Sequence, residues 1–220
     1  MARGFPLDPR LPDWKLDGWP RRLTERLAEW MRSAAVELNQ RLAFGTRTIY
    51  VPANAMVART TNGPASGTAE LGNKVMLATL DFDPATAEYA QFSVQMPQSW
   101  DRGVVRAKFL FAHATATAST SASCGIVWRL QAQAFGNGDS LNTTFSTATD
   151  VTRIGISPLT LYASAPTTSY TVEGAPAASD WVCFQVSRQP GAAGDTFADA
   201  DAKLIGVSIL YEQTALTDLQ

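Results

Sequence analysis

The chain carries a single histidine and two cysteines, so imidazole and thiol chemistry must run through His113, Cys124 and Cys183. His113 ends a run of alternating residues and precedes the low-complexity stretch Ala114-Thr115-Ala116-Thr117-Ala118-Ser119-Thr120, which reads as a loop. No Gly-x-Ser-x-Gly elbow or other nucleophile motif accompanies it, so an ordinary surface residue at a strand end is expected there. Carboxylate catalysis needs two acids at one site. Asp81 and Asp83 share a strand face, with Glu88 just beyond a turn. Asp83-Pro84-Ala85-Thr86 is a natural turn in which the aspartate bonds the backbone; ion binding by Asp81, Asp83 and Glu88 stays open as the alternative. Asp139, in the 136–140 loop, and the later Asp195, Asp199 and Asp201 do not follow a calcium-loop pattern. The two cysteines have no partner at ligand spacing. They read as small buried hydrophobes in strands, and a disulfide would need their Cα atoms within ~7 Å. No phosphate-cradling or dinucleotide motif is present. The expectation is no catalytic residue, no cofactor and no metal.

Binding is the remaining chemistry. Aromatic rings beside amides and carboxylates suit sugars, which present both an apolar face and hydroxyls. Trp100, Phe135, Tyr162 and Tyr170 lie near loops and are the expected ligand-binding rings; plugging the ends of the fold is the competing use.

The elements that position these residues fall into three regions. Up to about residue 22 the chain is rich in Pro, with Trp14 and Trp19 between the prolines. Closely spaced prolines forbid a long helix or a central strand, so an extended arm is expected. It either lies across a neighbouring subunit or folds back on its own domain. Next, Leu23, Leu27, Trp30, Met31, Ala34, Leu38 and Leu42 recur at steps of three and four, which predicts an amphipathic helix over residues 21–43. Pro20 and Gly45 suit its ends. Its stripe either covers a sandwich face or bundles with copies of itself. Trp14, Trp19, Leu23, Leu27, Trp30, Met31 and Leu38 are the expected assembly residues. From residue 46 onward the pattern is all β. Strands are expected at 47–51, 74–82, 88–96, 103–113, 123–135, 168–173, 180–188 and 202–212, several with clear alternation. Ala90, Phe92, Val94 and Met96 oppose Gln91, Ser93 and Gln95; Ile126, Trp128 and Leu130 oppose Arg129 and Gln131; Val182, Phe184 and Val186 oppose Gln185 and Ser187. Turn formers fill the gaps. The fold class is therefore mainly β, an antiparallel two-sheet sandwich of jelly-roll type, preceded by an arm and one helix. The domains are 1–45 for anchoring and oligomerisation and 46–220 for the sandwich.

Charged residues make up only 17% and the net charge is −2, with no basic block, so nucleic acid is not an expected partner. No apolar run is long enough to insert into a membrane. The first ten residues lack a signal-peptide core, so synthesis in the bacterial cytoplasm is expected.

Three stretches carry a resemblance: 72–92, which contains Gly72-Asn73-Lys74-Val75-Met76-Leu77 and Asp81-Phe82-Asp83-Pro84; Met96-Pro97-Gln98-Ser99-Trp100-Asp101; and Ile126-Val127-Trp128-Arg129-Leu130-Gln131. Together with Ala200-Asp201-Ala202-Lys203-Leu204 they resemble β-sandwich virion structural proteins of tailed phages and gene transfer agents, of the head spike or fibre type. The likeness runs from about Gly72 to Tyr211 and does not extend to the arm or the helix. It implies a non-enzymatic virion component that adheres to a host-surface polysaccharide. It also implies a homo-oligomer, trimer or pentamer, with capsid or spike proteins as partners. A capsid decoration protein without receptor binding, a tail fibre component and a free carbohydrate-binding module are the alternatives.

Overall fold

The computed structural model describes residues 25–34, 45–70, 72–113, 124–154, 160–177 and 179–213. Trp14, Trp19, Leu23 and Leu38 lie outside the described residues, as does the 114–123 loop. The chain divides into two compact units, Met1–Ala43 and Phe44–Gln220. In the first, residues 25–34 form a helix. Leu27, Trp30 and Met31 stand on it at helical spacing and are 41%, 67% and 44% exposed. No described helix is long and apolar enough to cross a membrane.

The second unit contains twelve strands among the described residues: β1 (Thr46–Pro52), β2 (Val57–Ala58), β3 (Ala65–Glu70), β4 (Met76–Phe82), β5 (Tyr89–Gln95), β6 (Trp100–Ala112), β7 (Gly125–Phe135), β8 (Thr149–Ile154), β9 (Tyr162–Ala163), β10 (Tyr170–Thr171), β11 (Trp181–Arg188) and β12 (Ala202–Gln213). They form two antiparallel sheets. One runs β10–β6–β12–β4–β3, with β1 also on β12 and β9 also on β6. The other runs β2–β5–β11–β7–β8. β4 pairs with β12 only at Ala202–Leu204, and from Gly206 onward β1 takes over that edge. The sandwich expected from the sequence is thus observed, and its inner faces follow the alternation.

Residues of opposite parity part to the two sides of a strand, and the apolar set of each central strand turns inward. Trp128 sits at the centre, fully buried. Phe82 meets it edge-on at 5.2 Å, Phe109 stacks at 5.4 Å and Phe111 tilts at 5.5 Å. The three phenylalanines stand on β4 and β6 of the seven-stranded sheet and the indole on β7 of the other, so one indole cements the two layers. Phe92 and Phe184 stack at 5.2 Å across β5 and β11.

One end of the sandwich is closed by a buried ion pair. The Arg188 and Asp195 side chains are 0% and 2% exposed. Arg188 donates through Nε to Asp195 Oδ2 at 3.0 Å and through Nη2 to Oδ1 at 2.8 Å. It also donates to the carbonyls of Phe82, Ala200 and Phe197. Asp195 Oδ2 accepts the Val127 N–H at 3.1 Å. A strand residue of one sheet thereby holds a carbonyl of the other and pins the 189–199 loop. At the opposite end Tyr170 crosses the gap: its hydroxyl accepts the Ala132 N–H at 3.1 Å. Glu173 then pairs in parallel with Gln133 beside β7.

Four strands are not anticipated by alternation. β2 and β9 are two residues long, too short to show a period. β3 reads Ala-Ser-Gly-Thr-Ala-Glu, an edge strand with no buried face to demand apolar residues. β8 reads Thr-Asp-Val-Thr-Arg-Ile and is half-exposed at the other sheet's edge. The strand expected at 168–173 shrinks to Tyr170–Thr171.

Candidate functional site

Strand register assembles a polar face that no single strand displays. Ala90, Phe92, Val182, Phe184, Val186, Ile126, Trp128, Leu130, Ala132 and Ala134 turn into the core. Their neighbours on β5, β11 and β7 therefore turn outward, and directly opposed residues share a face. The resulting rows are Tyr89–Ser187–Arg129, Gln91–Gln185–Gln131, Ser93–Cys183–Gln133 and Gln95–Trp181–Phe135.

The second row is a hydrogen-bonded ladder. Gln91 Nε2 donates to Gln185 Oε1 at 2.9 Å, and Gln185 Nε2 donates to Gln131 Oε1 at 2.9 Å. Gln131 Nε2 donates to the carbonyls of Phe145 and Thr147 at 3.4 and 3.2 Å. Every amide dipole in the row points the same way, which lets the bonds reinforce one another. Gln185 is buried beneath its neighbours, while Gln91 and Gln131 are partly exposed. Cys183, beside this row, carries a thiol whose pKa burial pushes up, against a weaker lowering by Ser93; Cys124 is also buried, and the two cysteines form no disulfide.

Each end of the face is aromatic. At one end the Arg59 guanidinium stacks 4.7 Å from the Tyr89 ring centroid. There Arg129 makes a two-pronged bond to Asp150 at 2.7 and 2.8 Å, which holds the Arg129 cation above its ordinary pKa despite some burial. At the other end Phe135 and Trp181 meet at 5.5 Å and 45°, and Trp181 is 42% exposed. Along one side the 145–147 segment is tied to Glu173, which accepts the Ser146 N–H at 3.0 Å and also bonds Thr147. Burial raises the Glu173 carboxyl, but the Ser146 and Thr147 donors outweigh it and hold it below its ordinary value.

Of the four rings expected to bind ligand, Phe135 alone stands on this face. Trp100 is a correction: it opens β6 and is 1% exposed, because the turn bond from its N–H to the Pro97 carbonyl at 3.0 Å swings the indole inward. Tyr170 is another, 4% exposed and committed to Ala132. Tyr162 belongs to the other sheet, half-buried 6.0 Å from Phe111 with Arg153 at 5.2 Å. Trp181 was missed, although the alternation of Val182, Phe184 and Val186 already places residue 181 on the outward side.

Asp81, Asp83 and Glu88 are each engaged. Asp81 pairs with Lys203 and accepts the Thr79 hydroxyl at 2.6 Å. Asp83 caps its turn through the Ala85 and Thr86 N–H groups, both at 2.7 Å. Glu88 accepts the Asp83 N–H at 2.8 Å. Burial raises the Glu88 carboxyl, the Asp83 N–H lowers it, and the nearby Asp83 and Asp201 charges raise it further, leaving it above its ordinary value. No cluster of three metal-ligating side chains occurs among the described residues.

His113 is a third correction of environment. It is 1% exposed rather than a surface residue, packs 4.7 Å from Phe197, and neither ring nitrogen has a hydrogen-bond partner among the described residues. Arg188 lies on Phe197 as well, at 5.7 Å. Burial lowers the His113 pKa, so the unfolded chain takes up this proton first as the pH falls. Native stability is therefore expected to drop below about pH 6.5. His113→Phe should flatten that part of the stability–pH curve in urea titrations between pH 7.5 and 5. An unchanged curve would mean that His113 does not carry the dependence.

No family model and no curated protein matches the chain. Solved structures similar to it include three carbohydrate-binding modules with β-sandwich folds. One is a low-affinity xylan-binding module from Roseburia intestinalis, with 11% identity, TM-score 0.31, and coverage of 75% of this chain and 96% of that one. Another is the module TmCBM61 in complex with β-1,4-galactotriose, with 12% identity, TM-score 0.27, and coverage of 77% and 85%. A third is a family 11 module from Clostridium thermocellum in complex with a mixed-linked β-1,3-1,4 tetrasaccharide, with 7% identity, TM-score 0.33, and coverage of 79% and 90%. Such distant likeness leaves the ligand to be argued from this chain's own residues.

Proposed function

We propose that this chain is a non-catalytic attachment protein whose sandwich binds a glycan across the outer face of the five-stranded sheet. One observation carries the reading: the Gln91–Gln185–Gln131 ladder spans three strands on an outward face, with an exposed indole on the same face. Sugar hydroxyls both donate and accept, as primary amides do, and a ring covers the apolar side of a pyranose. Neutral amides also cost less to desolvate than charges. A panel of cell-surface polysaccharides in affinity electrophoresis tests it: the full chain is retarded by at least one of them, and Gln91→Ala/Gln131→Ala is not. Unretarded migration through the whole panel contradicts glycan binding and favours a decoration role.

The protein acts in multiple copies on a phage or gene transfer agent particle, the location that the resemblance over residues 72–211 supports. Weak sites suit that setting, because linked copies multiply affinity by ~10²–10⁴. The exposed Leu27, Trp30 and Met31 stripe supports self-assembly through the helix. Trp30→Glu in the full chain should lower the mass measured by light scattering from an oligomer to a monomer. A wild-type monomer that binds sugar and never copurifies with particles would instead make this a free module.

A further inference from the structure

The 145–147 segment beside the glutamine ladder is held by Glu173, and that hold reaches the ladder through one peptide plane. Glu173 is itself fixed by backbone bonds. Its N–H donates to the Ala132 carbonyl at 3.2 Å, and its own carbonyl accepts the Ala134 N–H at 2.8 Å. Gly174 follows with φ +86°, and a Cβ there would stand 2.4 Å from the Ala134 carbonyl oxygen and 2.4 Å from Gln133 Nε2. The chain thus lies hard against β7 where the glutamate projects.

One oxygen of Glu173 accepts the Ser146 N–H at 3.0 Å, and the other accepts the Thr147 N–H and hydroxyl. Bonds to an ionised acceptor are the stronger kind. The Ser146 N–H and the Phe145 carbonyl belong to one planar trans peptide, so they point in opposite directions. Holding the N–H against Glu173 therefore aims the Phe145 carbonyl at the ladder. There Gln131 Nε2 donates to it at 3.4 Å and to the Thr147 carbonyl at 3.2 Å.

Carbonyl oxygens only accept, so these two decide that Gln131 faces them with its nitrogen. Gln131 then turns its oxygen to Gln185, and Gln185 turns its oxygen to Gln91. The row ends at Gln91, whose oxygen is taken by no other amide of the ladder and stands 4.0 Å from Cys183 Sγ. That oxygen is left to accept a hydroxyl hydrogen. In a reversed row it would be engaged within the ladder, and the nitrogen would be left instead.

We infer that Glu173 is a positioning residue of the glycan face: through the 145–146 peptide it sets the direction of the Gln131–Gln185–Gln91 row and so makes Gln91 an acceptor for a sugar hydroxyl. The inference rests on the glycan-binding reading above. Glu173 acts through the segment, because its own oxygens are taken up by Ser146 and Thr147.

The test combines side-chain amide NMR of the unliganded full chain with binding to immobilised galactan, xylan and dextran, for the parent, Glu173→Ala and Glu173→Gln. In Glu173→Ala the Nε2 resonances of Gln131, Gln185 and Gln91 should all move. That of Gln95, bonded to the Ser179 carbonyl outside the row, should stay in place. Affinity for a polysaccharide that the parent binds should fall about three- to tenfold, the scale of one hydrogen bond. Glu173→Gln keeps an oxygen acceptor for the Ser146 N–H and should recover most of both effects. If Glu173→Ala does not fold, Glu173→Asp, which withdraws the oxygens by one methylene, should move the same three resonances. A lowered melting temperature with the three resonances unmoved would make Glu173 a structural brace and overturn the inference. Moved resonances with unchanged affinity would overturn it as well, and both results leave glycan binding intact. A parent silent on all three polysaccharides, with the row still answering to Glu173→Ala, would overturn the glycan reading and leave the control of the row by Glu173 standing.

Discussion

Asp195→Ala should destabilise the sandwich by about 3–5 kcal/mol, the usual cost of stranding one partner of a buried ion pair. The reason is the setting of Arg188, whose guanidinium is wholly buried and reaches Asp195 by two bonds at 2.8 and 3.0 Å. Without the carboxylate the cation keeps only carbonyl partners, and the Val127 N–H loses its acceptor. Asp195→Asn should cost less, since the amide oxygen can still accept one bond. Replacing both partners together, Arg188→Met with Asp195→Leu, should cost less than the single Asp195→Ala change, because no charge is left unpaired. Urea melts of the three variants check this. A loss below about 1 kcal/mol for Asp195→Ala would mean that the 189–199 loop opens and lets water reach Arg188.

Trp128→Ala is expected to cost about as much, 3–5 kcal/mol or more, for a different reason. The indole touches three rings drawn from β4 and β6, and its removal leaves a void between the two sheets. Domain stabilities of about 5–15 kcal/mol leave little after such a loss. The change should therefore appear as a large fall in melting temperature and as weakened near-ultraviolet circular dichroism. Trp128→Phe, which keeps a ring there, should cost distinctly less. Equal losses for the two variants would argue that the central packing is looser than its geometry indicates.

Trp128 and Trp100 show where the sequence is informative. Trp128 is spaced by two from Ile126 and Leu130, with Arg129 and Gln131 opposing them, and that period of two fixes its side of the strand. Trp100 stands between a turn and a strand, where neighbouring residue types leave its direction open; the Pro97–Trp100 bond decides it. Tyr170 is equally opaque, because a two-residue strand has no period and its hydroxyl is claimed by Ala132, 38 residues away.

The site follows the same logic. The outward set Gln91, Ser93, Gln95, Gln131 and Gln185 is legible strand by strand as the polar half of each alternation. Its union into one face depends on β5 and β7 both flanking β11, which brings together Gln91 and Gln185 from positions 94 residues apart. Strand order of that kind is a long-range outcome of packing that local pattern does not encode. Arg188 is the converse case: a charged residue in an apolar run reads as a strand end, and only the fold supplies its buried partner.

The most direct test of the central claim is side-chain amide NMR on the full chain, titrated with a polysaccharide that it binds. The Nε2 resonances of Gln91, Gln131 and Gln95 and the indole Nε1 resonance of Trp181 should shift together and saturate at one dissociation constant. Shifts confined to the seven-stranded sheet, with these four resonances unmoved, would contradict the assignment of the outer face as the glycan site.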